Sequence, residues 1–139
     1  MIKQITIKDF LLFSEAWIFI AISRLILVFV PFSKILPLLG TRVAIHENTY
    51  KNENHFKHIS RAITRACRYS FWRTACFEQA LCAKLMLKLR NKKSTIYFGV
   101  RKEAPEKELL AHAWLICNEE IITGGKHTEL YTVLSSFYS

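Results

Sequence analysis

The spacing of apolar residues changes near residue 93, and this change restricts the fold more than any other feature. Before it, apolar residues recur at helical spacing, as Leu81, Leu85 and Leu89 do. After it, four short segments have the alternation and residue types of strands: "STIYFGVRK", "AHAWLIC", "EIITGG" and "ELYTVLSSF". Helices first and strands last predict an α+β domain whose N-terminal helices pack on a C-terminal antiparallel sheet.

The chain length of 139 residues suits one domain with a single core. We predict one domain over 1–139, with an apolar helical segment (1–40), a polar loop (41–55) and a core of cysteine helix and strands (56–139). The net charge of +9 favours an acidic partner, which is a peptide, a nucleic acid or an anionic membrane surface.

The segment Phe10–Phe32 is the most apolar part of the chain and is long enough to span a bilayer. Glu15 and Arg24 interrupt it, and a charged side chain at the bilayer centre costs ~2.5–3.5 kcal/mol. We therefore expect a core helix that ends at Pro31. An interfacial helix and a contact with a partner protein are the alternatives.

The cysteine pattern and the first residues indicate the compartment. Lys3, Lys8 and Asp9 do not fit a cleavable signal peptide. The 4 cysteines lack a CxxC pair, so neither a zinc site nor a disulfide framework is expected. We predict a cytoplasmic protein that requires no metal and no organic cofactor.

The segment "HFKHISRAITRACRYSFWR" is predicted to be helical and carries a stripe of cations. Lys57, Arg61, Arg65 and Arg68 follow one another at spacings that place them on one face. A solvated face is one interpretation, and a docking stripe for an acidic peptide is the other.

The stretch "RTACFEQALCAKLMLKLR" places Cys76 in the opening turn of a helix predicted from about Thr74 to Arg90. Free backbone N–H groups and the positive end of the helix dipole favour a thiolate there. His112 on a following strand would complete the pair that a cysteine nucleophile needs. Alternatively, Cys76 is an ordinary buried thiol and His112 a core histidine.

A resemblance to a known family favours the interpretation of Cys76 and His112 as a catalytic pair. "CFEQAL" at the start of a helix, "YFGVRK", "AHAWL" and "TGG" on successive strands, and "YTVLSSF" at the end resemble the leader peptidases of lasso peptide biosynthesis. These are the B proteins, or B2 proteins when split, and they have a transglutaminase-like, papain-related core. "EAWIFIAISRLILVFVPF" and the "WR" before the cysteine resemble the same family.

The resemblance implies a cysteine endopeptidase. Cys76 would be the nucleophile and His112 the general base and later acid, acting through a thioester acyl-enzyme. The implied substrate is a lasso precursor peptide, delivered by a separate B1-type recognition protein, with the lasso cyclase as a further partner. Nucleic acid is not expected, and peripheral membrane contact is not favoured.

One position departs from this family, in which many members have an Asp about twelve residues after the histidine. Gly124 stands there. If Asn118 and Glu119 form a tight turn, His112 lies opposite Gly125, and Thr123 shares its face. The group that orients the imidazole is then the Thr123 hydroxyl, a backbone carbonyl or no third group. A longer hairpin would offer a glutamate: Glu119, Glu120 or Glu129.

The neighbouring residues receive less specific predictions. Trp72 and Trp114 are candidates for a substrate groove, with aromatic core as the alternative. Glu78 is expected to stabilise the start of the helix. The remaining cysteines, Cys67, Cys82 and Cys117, are expected to be structural.

The rival to the peptidase is a non-catalytic adaptor. It would be a small basic protein that uses the same sheet to bind a peptide, a nucleic acid or a membrane surface.

Overall fold

The computed structural model describes residues 6–43, 55–72, 74–102, 104–125 and 128–139. The described helices are α1 (Ile7–Phe29), α2 (Phe32–Leu39), α3 (Lys57–Arg68) and α4 (Cys76–Leu89), with a 3-10 turn at Thr128–Leu130. The described strands are β1 (Thr41–Arg42), β2 (Thr95–Arg101), β3 (Leu110–Cys117), β4 (Glu120–Thr123) and β5 (Thr132–Tyr138).

The five strands form one antiparallel sheet in the order β1-β5-β2-β3-β4. One face carries the large core, in which Ile96, Ala113 and Leu115 pack with residues of all four described helices. The other face carries a smaller cluster around Tyr97, Trp114 and Ile116. The predicted α+β architecture is confirmed.

Helix α1 begins at a capping box, in which Thr6 and Asp9 bond each other's backbone N–H groups. It ends before Pro31, as the sequence predicts. The two charges that interrupt its apolar run both bond α4: Glu15 bonds Arg90, and Arg24 bonds Glu78. Glu15, in the first half of α1, meets the end of α4, whereas Arg24, in the second half of α1, meets the start of α4. The two helices therefore run antiparallel.

Only one face of α1 is buried. Ala16, Ile20 and Ser23 are fully covered, whereas the opposite face leaves large apolar side chains exposed, including Leu11, Ile18, Leu25 and Phe29. By length and composition α1 is apolar enough to cross a membrane, and 17% of its most apolar window is buried in the domain. The prediction of a core helix therefore holds for the buried face of α1 and not for the opposite face.

Helix α4 is buried on more sides than its apolar stripe predicts. Leu81 is buried as expected, but Leu89 at the end is exposed. Lys84 is 2% exposed, and its ammonium donates to the carbonyl and hydroxyl oxygens of Ser94 at 2.9 and 3.2 Å. Burial lowers the pKa of Lys84 to about 8.

The segment 41–55, which is predicted to be a polar loop, begins with a short strand instead. Thr41 and Arg42 form the edge strand β1, which pairs with Phe137 and Tyr138. Residues 44–54 of that loop lie outside the described residues, as does Arg73 of the "WR" pair.

Candidate active site

Cys76 is the first residue of α4, as the sequence predicts. The residue before it, Ala75, is extended and offers no side chain to cap the helix. Ser, Thr, Asp or Asn at this position would bond the first N–H groups, and Ala stabilises the helix end by ~1 kcal/mol less. The start of α4 therefore keeps N–H donors next to a half-buried thiol.

The other cysteines have core surroundings. Cys82 and Cys117 are buried, and their thiols donate to the carbonyls of Ala16 and Lys93 at 3.5 and 3.3 Å. Burial raises the pKa of both thiols and of Cys67. A raised pKa disfavours the thiolate, so these three are poor nucleophiles.

His112 lies on β3 opposite Gly99 of β2. Its Nε2 donates a hydrogen bond of 2.7 Å to the carbonyl oxygen of Gly124. Because a carbonyl only accepts, Nε2 carries a proton in this contact, and in the neutral ring Nδ1 then has the lone pair. The ring also contacts Trp114 and Tyr131, with centroids 5.7 and 5.0 Å away.

Cys76 and His112 line the same cleft, which has a volume of about 490 Å³. The other lining residues are Ser60, Ile63, Thr64, Thr74, Ala75, Gln79, Ile122, Thr123, Gly124 and Gly125. The cleft is formed where the start of α4, the middle of α3 and the end of β4 meet. The structure thus brings the two predicted catalytic residues to one place.

The thiol and the imidazole share the cleft without a mutual hydrogen bond. No hydrogen bond joins the Cys76 thiol to His112 or to any other described residue. Strand alternation explains this: His112 shares its face with Trp114, opposite to the face on which α4 packs. The ring lines the cleft near the point where β4 ends, at Thr123.

The β3–β4 hairpin has the predicted tight turn but not the predicted register. Asn118 and Glu119 both have positive φ, 50° and 65°, which suits a two-residue turn. An irregularity at Ile122 then shifts the pairing, so that Thr123 lies opposite Leu115. The expectation that Thr123 shares a face with His112 is therefore wrong.

The orienting hydrogen bond comes from the backbone, one of the alternatives that the sequence left open. The Gly124 carbonyl makes it, whereas the buried Thr123 hydroxyl has no hydrogen-bond partner among the described residues. The bonded ring nitrogen is Nε2. This leaves Nδ1 as the basic nitrogen.

Gly124 is suited to this role by its conformation. Its φ is +69°, and a Cβ there would lie 2.5 Å from the carbonyl oxygen of Ala113. Only glycine adopts this backbone in this space without strain. Gly124 thus supplies a main-chain acceptor at the position where the sequence resemblance leads one to expect a carboxylate.

The candidate glutamates have other contacts. Glu120 is buried and accepts a hydrogen bond of 2.9 Å from the backbone N–H of Phe56, at the start of α3. Glu78 is buried as well, and its carboxylate bonds Arg24 of α1 at 3.2 Å. Glu119 and Glu129 do not line the cleft. Glu78 therefore joins two helices in addition to lying in the first turn of α4.

Neither tryptophan lines this cleft, and a role of Trp72 and Trp114 in a wider substrate groove stays a prediction. Trp114 is buried on the far face of the sheet, stacked on Tyr97. Trp72 packs edge-on against Trp17 of α1 and Phe71. Both side chains thus pack among aromatic neighbours.

Three further residues line the cleft that no motif in the sequence points to: Ser60, Thr64 and Gln79. Gln79 lies one turn after Cys76, a spacing that places both on one helix face, and its Nε2 donates to the carbonyl of Thr74 at 2.9 Å. Ser60 and Thr64 reach the cleft because α3 packs beside β4, where the Ser60 hydroxyl donates to the carbonyl of Ile122 at 2.9 Å. No local pattern in the sequence signals that contact.

The fold and the cleft define an α+β domain with a cysteine at the start of a helix and a histidine on an antiparallel sheet. The family described as the transglutaminase-like superfamily matches residues 26–136. The chain belongs to this superfamily, which includes cysteine peptidases. A search of curated proteins found no match, and a search of solved structures found none.

Proposed function

We propose that this protein is a cysteine peptidase that removes the leader from a lasso peptide precursor. The observation that carries the proposal is the shared cleft, in which Cys76 at the open start of α4 lies with His112, whose Nδ1 is free to accept a proton. Membership of the superfamily supports a cysteine hydrolase. The sequence resemblance described above supports the particular substrate.

The reaction proceeds in two steps. His112 Nδ1 takes the thiol proton, and the Cys76 sulfur attacks the carbonyl carbon of the scissile peptide bond. The C–N bond breaks as Nδ1–H gives its proton to the leaving amine, which is the start of the core peptide. Water then attacks the thioester with Nδ1 as base, which releases the leader carboxylate and restores the thiol.

The start of α4 stabilises the oxyanion that forms in each step. The N–H of Cys76 is the candidate donor, because no side chain caps the helix there. The side chain of Gln79 holds the carbonyl of Thr74 and so fixes the segment that leads to the nucleophile.

The imidazole turns toward Cys76 when substrate binds. The Gly124 carbonyl holds Nε2–H at rest, and the thiol has no hydrogen bond to the ring among the described residues. Catalytic hydrogen bonds in unliganded enzymes are often long and tighten in the substrate complex. Substrate binding thus completes the pair.

The partners follow from the same resemblance. A separate recognition protein delivers the precursor in the cytoplasm, and the lasso cyclase receives the freed core. The cleavage itself uses no metal and no organic cofactor in this mechanism.

The test is mass spectrometry of a lasso precursor peptide incubated with the protein, with and without the recognition protein. We expect leader and core fragments from the wild type and none from Cys76→Ala. Cys82→Ala is the matched control, since it makes the same change at a buried thiol of the same helix. Cleavage by Cys76→Ala, or none by the wild type under either condition, contradicts the proposal.

The non-catalytic adaptor remains the second candidate because the resting thiol has no hydrogen bond to His112 among the described residues. An adaptor would bind a peptide and keep its binding partner after Cys76→Ala, and no variant would cleave. Nucleic-acid binding would show a steep loss of affinity with salt.

A further inference from the structure

We propose that the exposed cationic face of α3 is a substrate subsite that binds an acidic peptide segment close to the scissile bond. This face is formed by Lys57, Arg61, Arg65 and Arg68 and is called the α3 basic face below. The inference rests on the proposed peptidase function and assigns its substrate a chemical feature that cleavage alone does not require.

The α3 basic face forms a shallow groove of about 380 Å³ between its own side chains. Its first and last members are eleven positions apart, which corresponds to ~16 Å along a helix. An extended peptide covers this length with ~5 residues. The groove thus suits a short segment of extended chain.

The groove continues into the catalytic cleft. Ser60 and Thr64 line both, since they lie at the middle of α3 on the side toward β4. The hydrogen bond from Ser60 to the carbonyl of Ile122 fixes α3 against the strand that leads to Gly124. A peptide that leaves the cleft on this side therefore runs onto the α3 basic face at a fixed distance from Cys76.

The four cations have no carboxylate partner among the described residues. Among the described residues, Glu120 lies next to this helix, but it is buried and accepts a hydrogen bond from the N–H of Phe56. Arg65 and Arg68 suit the C-terminal end of the helix dipole, but Lys57 lies in a first turn without an acidic residue, where a cation is slightly unfavourable. The stability of the helix therefore does not explain why a cation stands at position 57. Binding of an anionic ligand along the whole face does explain it.

Continuity with the cleft favours a peptide over a nucleic acid or a membrane surface. Phosphates would bind the same cations, but neither of those partners uses the Ser60–Thr64 junction with the cleft. Arg also matches carboxylates in bidentate geometry, which suits glutamate and aspartate side chains.

The test uses a fluorescein-labelled peptide with a run of glutamates and the same peptide with glutamines, each bound to the full-length Cys76→Ala protein. We expect the glutamate peptide to bind about tenfold more tightly at low salt, which corresponds to a few exposed ion pairs, and to lose most of this advantage at high salt. The double variant Arg61→Gln/Arg65→Gln should abolish the preference. The control Lys34→Gln/Lys88→Gln removes the same charge elsewhere and should keep it.

Cleavage of lasso precursors with and without acidic residues near the scissile bond gives the second readout. Arg61→Gln/Arg65→Gln should raise KM for the acidic precursor about tenfold and leave kcat unchanged, because the subsite holds substrate away from the reacting atoms. If the wild type cleaves both precursors alike and the double variant cleaves normally, the subsite is refuted while the peptidase stands. If nothing is cleaved but the glutamate preference persists, the peptidase is refuted.

Two further results overturn the subsite. One is equal binding of the two peptides. The other is displacement of the glutamate peptide by single-stranded DNA or by anionic phospholipid vesicles at lower concentration than by the unlabelled peptide, which would assign the face to a phosphate ligand.

Discussion

The carbonyl oxygen of Gly124 accepts a hydrogen bond of 2.7 Å from Nε2 of His112. This single contact sets the tautomer of the imidazole and leaves Nδ1 as its base. A neutral carbonyl provides less electrostatic support for an imidazolium than a carboxylate does. In the unliganded site a backbone carbonyl therefore holds the ring.

Gly124→Asp should lower stability instead of restoring a stronger triad. The substituted Cβ would lie 2.5 Å from the Ala113 carbonyl oxygen at a φ of +69°, and positive φ alone costs ~1–2 kcal/mol for other residues. We expect a loss of about 2 kcal/mol or more in denaturant unfolding. Gly124→Ala should lose a similar free energy of unfolding, which would show that backbone strain, and not the added carboxylate, causes the loss. An unchanged unfolding midpoint with faster cleavage would contradict this account.

Thr123→Val should leave the orientation of His112 intact. The Thr123 hydroxyl is buried without a partner among the described residues, so removing it costs no hydrogen bond. We expect the free energy of unfolding to stay level or rise by up to ~1 kcal/mol, and kcat to stay within about twofold. A tenfold fall in kcat at unchanged stability would show that the hydroxyl, and not the Gly124 carbonyl, positions the ring.

Arg24→Met should destabilise the domain because it leaves a carboxylate buried without its partner. The side chain of Glu78 is 5% exposed and that of Arg24 is 36% exposed. Discounting the value for fully buried pairs, we expect a loss of about 2 kcal/mol. Adding Glu78→Gln should recover part of it, which a double-mutant cycle by chemical denaturation measures.

Glu15 and Arg90 provide the internal comparison for that cycle. Their side chains are 23% and 31% exposed, so water screens the pair more. We expect a coupling of about 1 kcal/mol or less. Equal coupling in both pairs, or none in either, would contradict the packing of α1 on α4.

Stability should rise with pH through the titration of Lys84. Burial lowers the pKa of Lys84 from 10.5 to about 8. Between these values the unfolded chain holds a proton that the folded protein has lost, so the free energy of unfolding increases with pH across that window, by roughly 2–3 kcal/mol. Chemical denaturation at neutral and alkaline pH measures this gain.

The control for Lys84 is the pH profile of Lys84→Met, which should lack the rise. Cys82 and Cys117 act in the opposite direction above about pH 9, since burial raises their pKa values and the unfolded chain then loses protons first. Both proteins share the effect of Cys82, whereas Lys84 lowers the pKa of Cys117, so the difference between their profiles reports the lysine together with its coupling to Cys117. Lys88→Met, on the exposed side of α4, should keep most of the rise, because burial contributes more than the Lys88 charge to the lowered pKa of Lys84.

The helices α1, α3 and α4 and the strands after residue 93 could be predicted because their signals are local. Alternation marks β2, β3 and β5, and Pro31 and the position of Cys76 set the ends of α1 and the start of α4. The tight turn at Asn118 and Glu119 was also predictable from the spacing of the flanking strands. These features depend on neighbours within a few residues.

The details of the site depend on contacts that no local pattern encodes. One extra residue in β4, at Ile122, changes which face Thr123 occupies and which group meets His112. Glu15 and Arg24 looked like interruptions of an apolar helix, but their partners lie more than fifty residues away on α4. Lys84 lies in a run of cations, and only the packing of Ser94 over it shows that it is buried.

The most direct test of the central claim is brief alkylation of the native protein with iodoacetamide, followed by peptide mapping of each cysteine. We predict that Cys76 is labelled before Cys67, Cys82 and Cys117, and that His112→Gln slows its labelling while His58→Gln, a change on the exposed side of α3, does not. Labelling of Cys76 no faster than Cys67, or at a rate indifferent to His112→Gln, would contradict a Cys76–His112 catalytic pair.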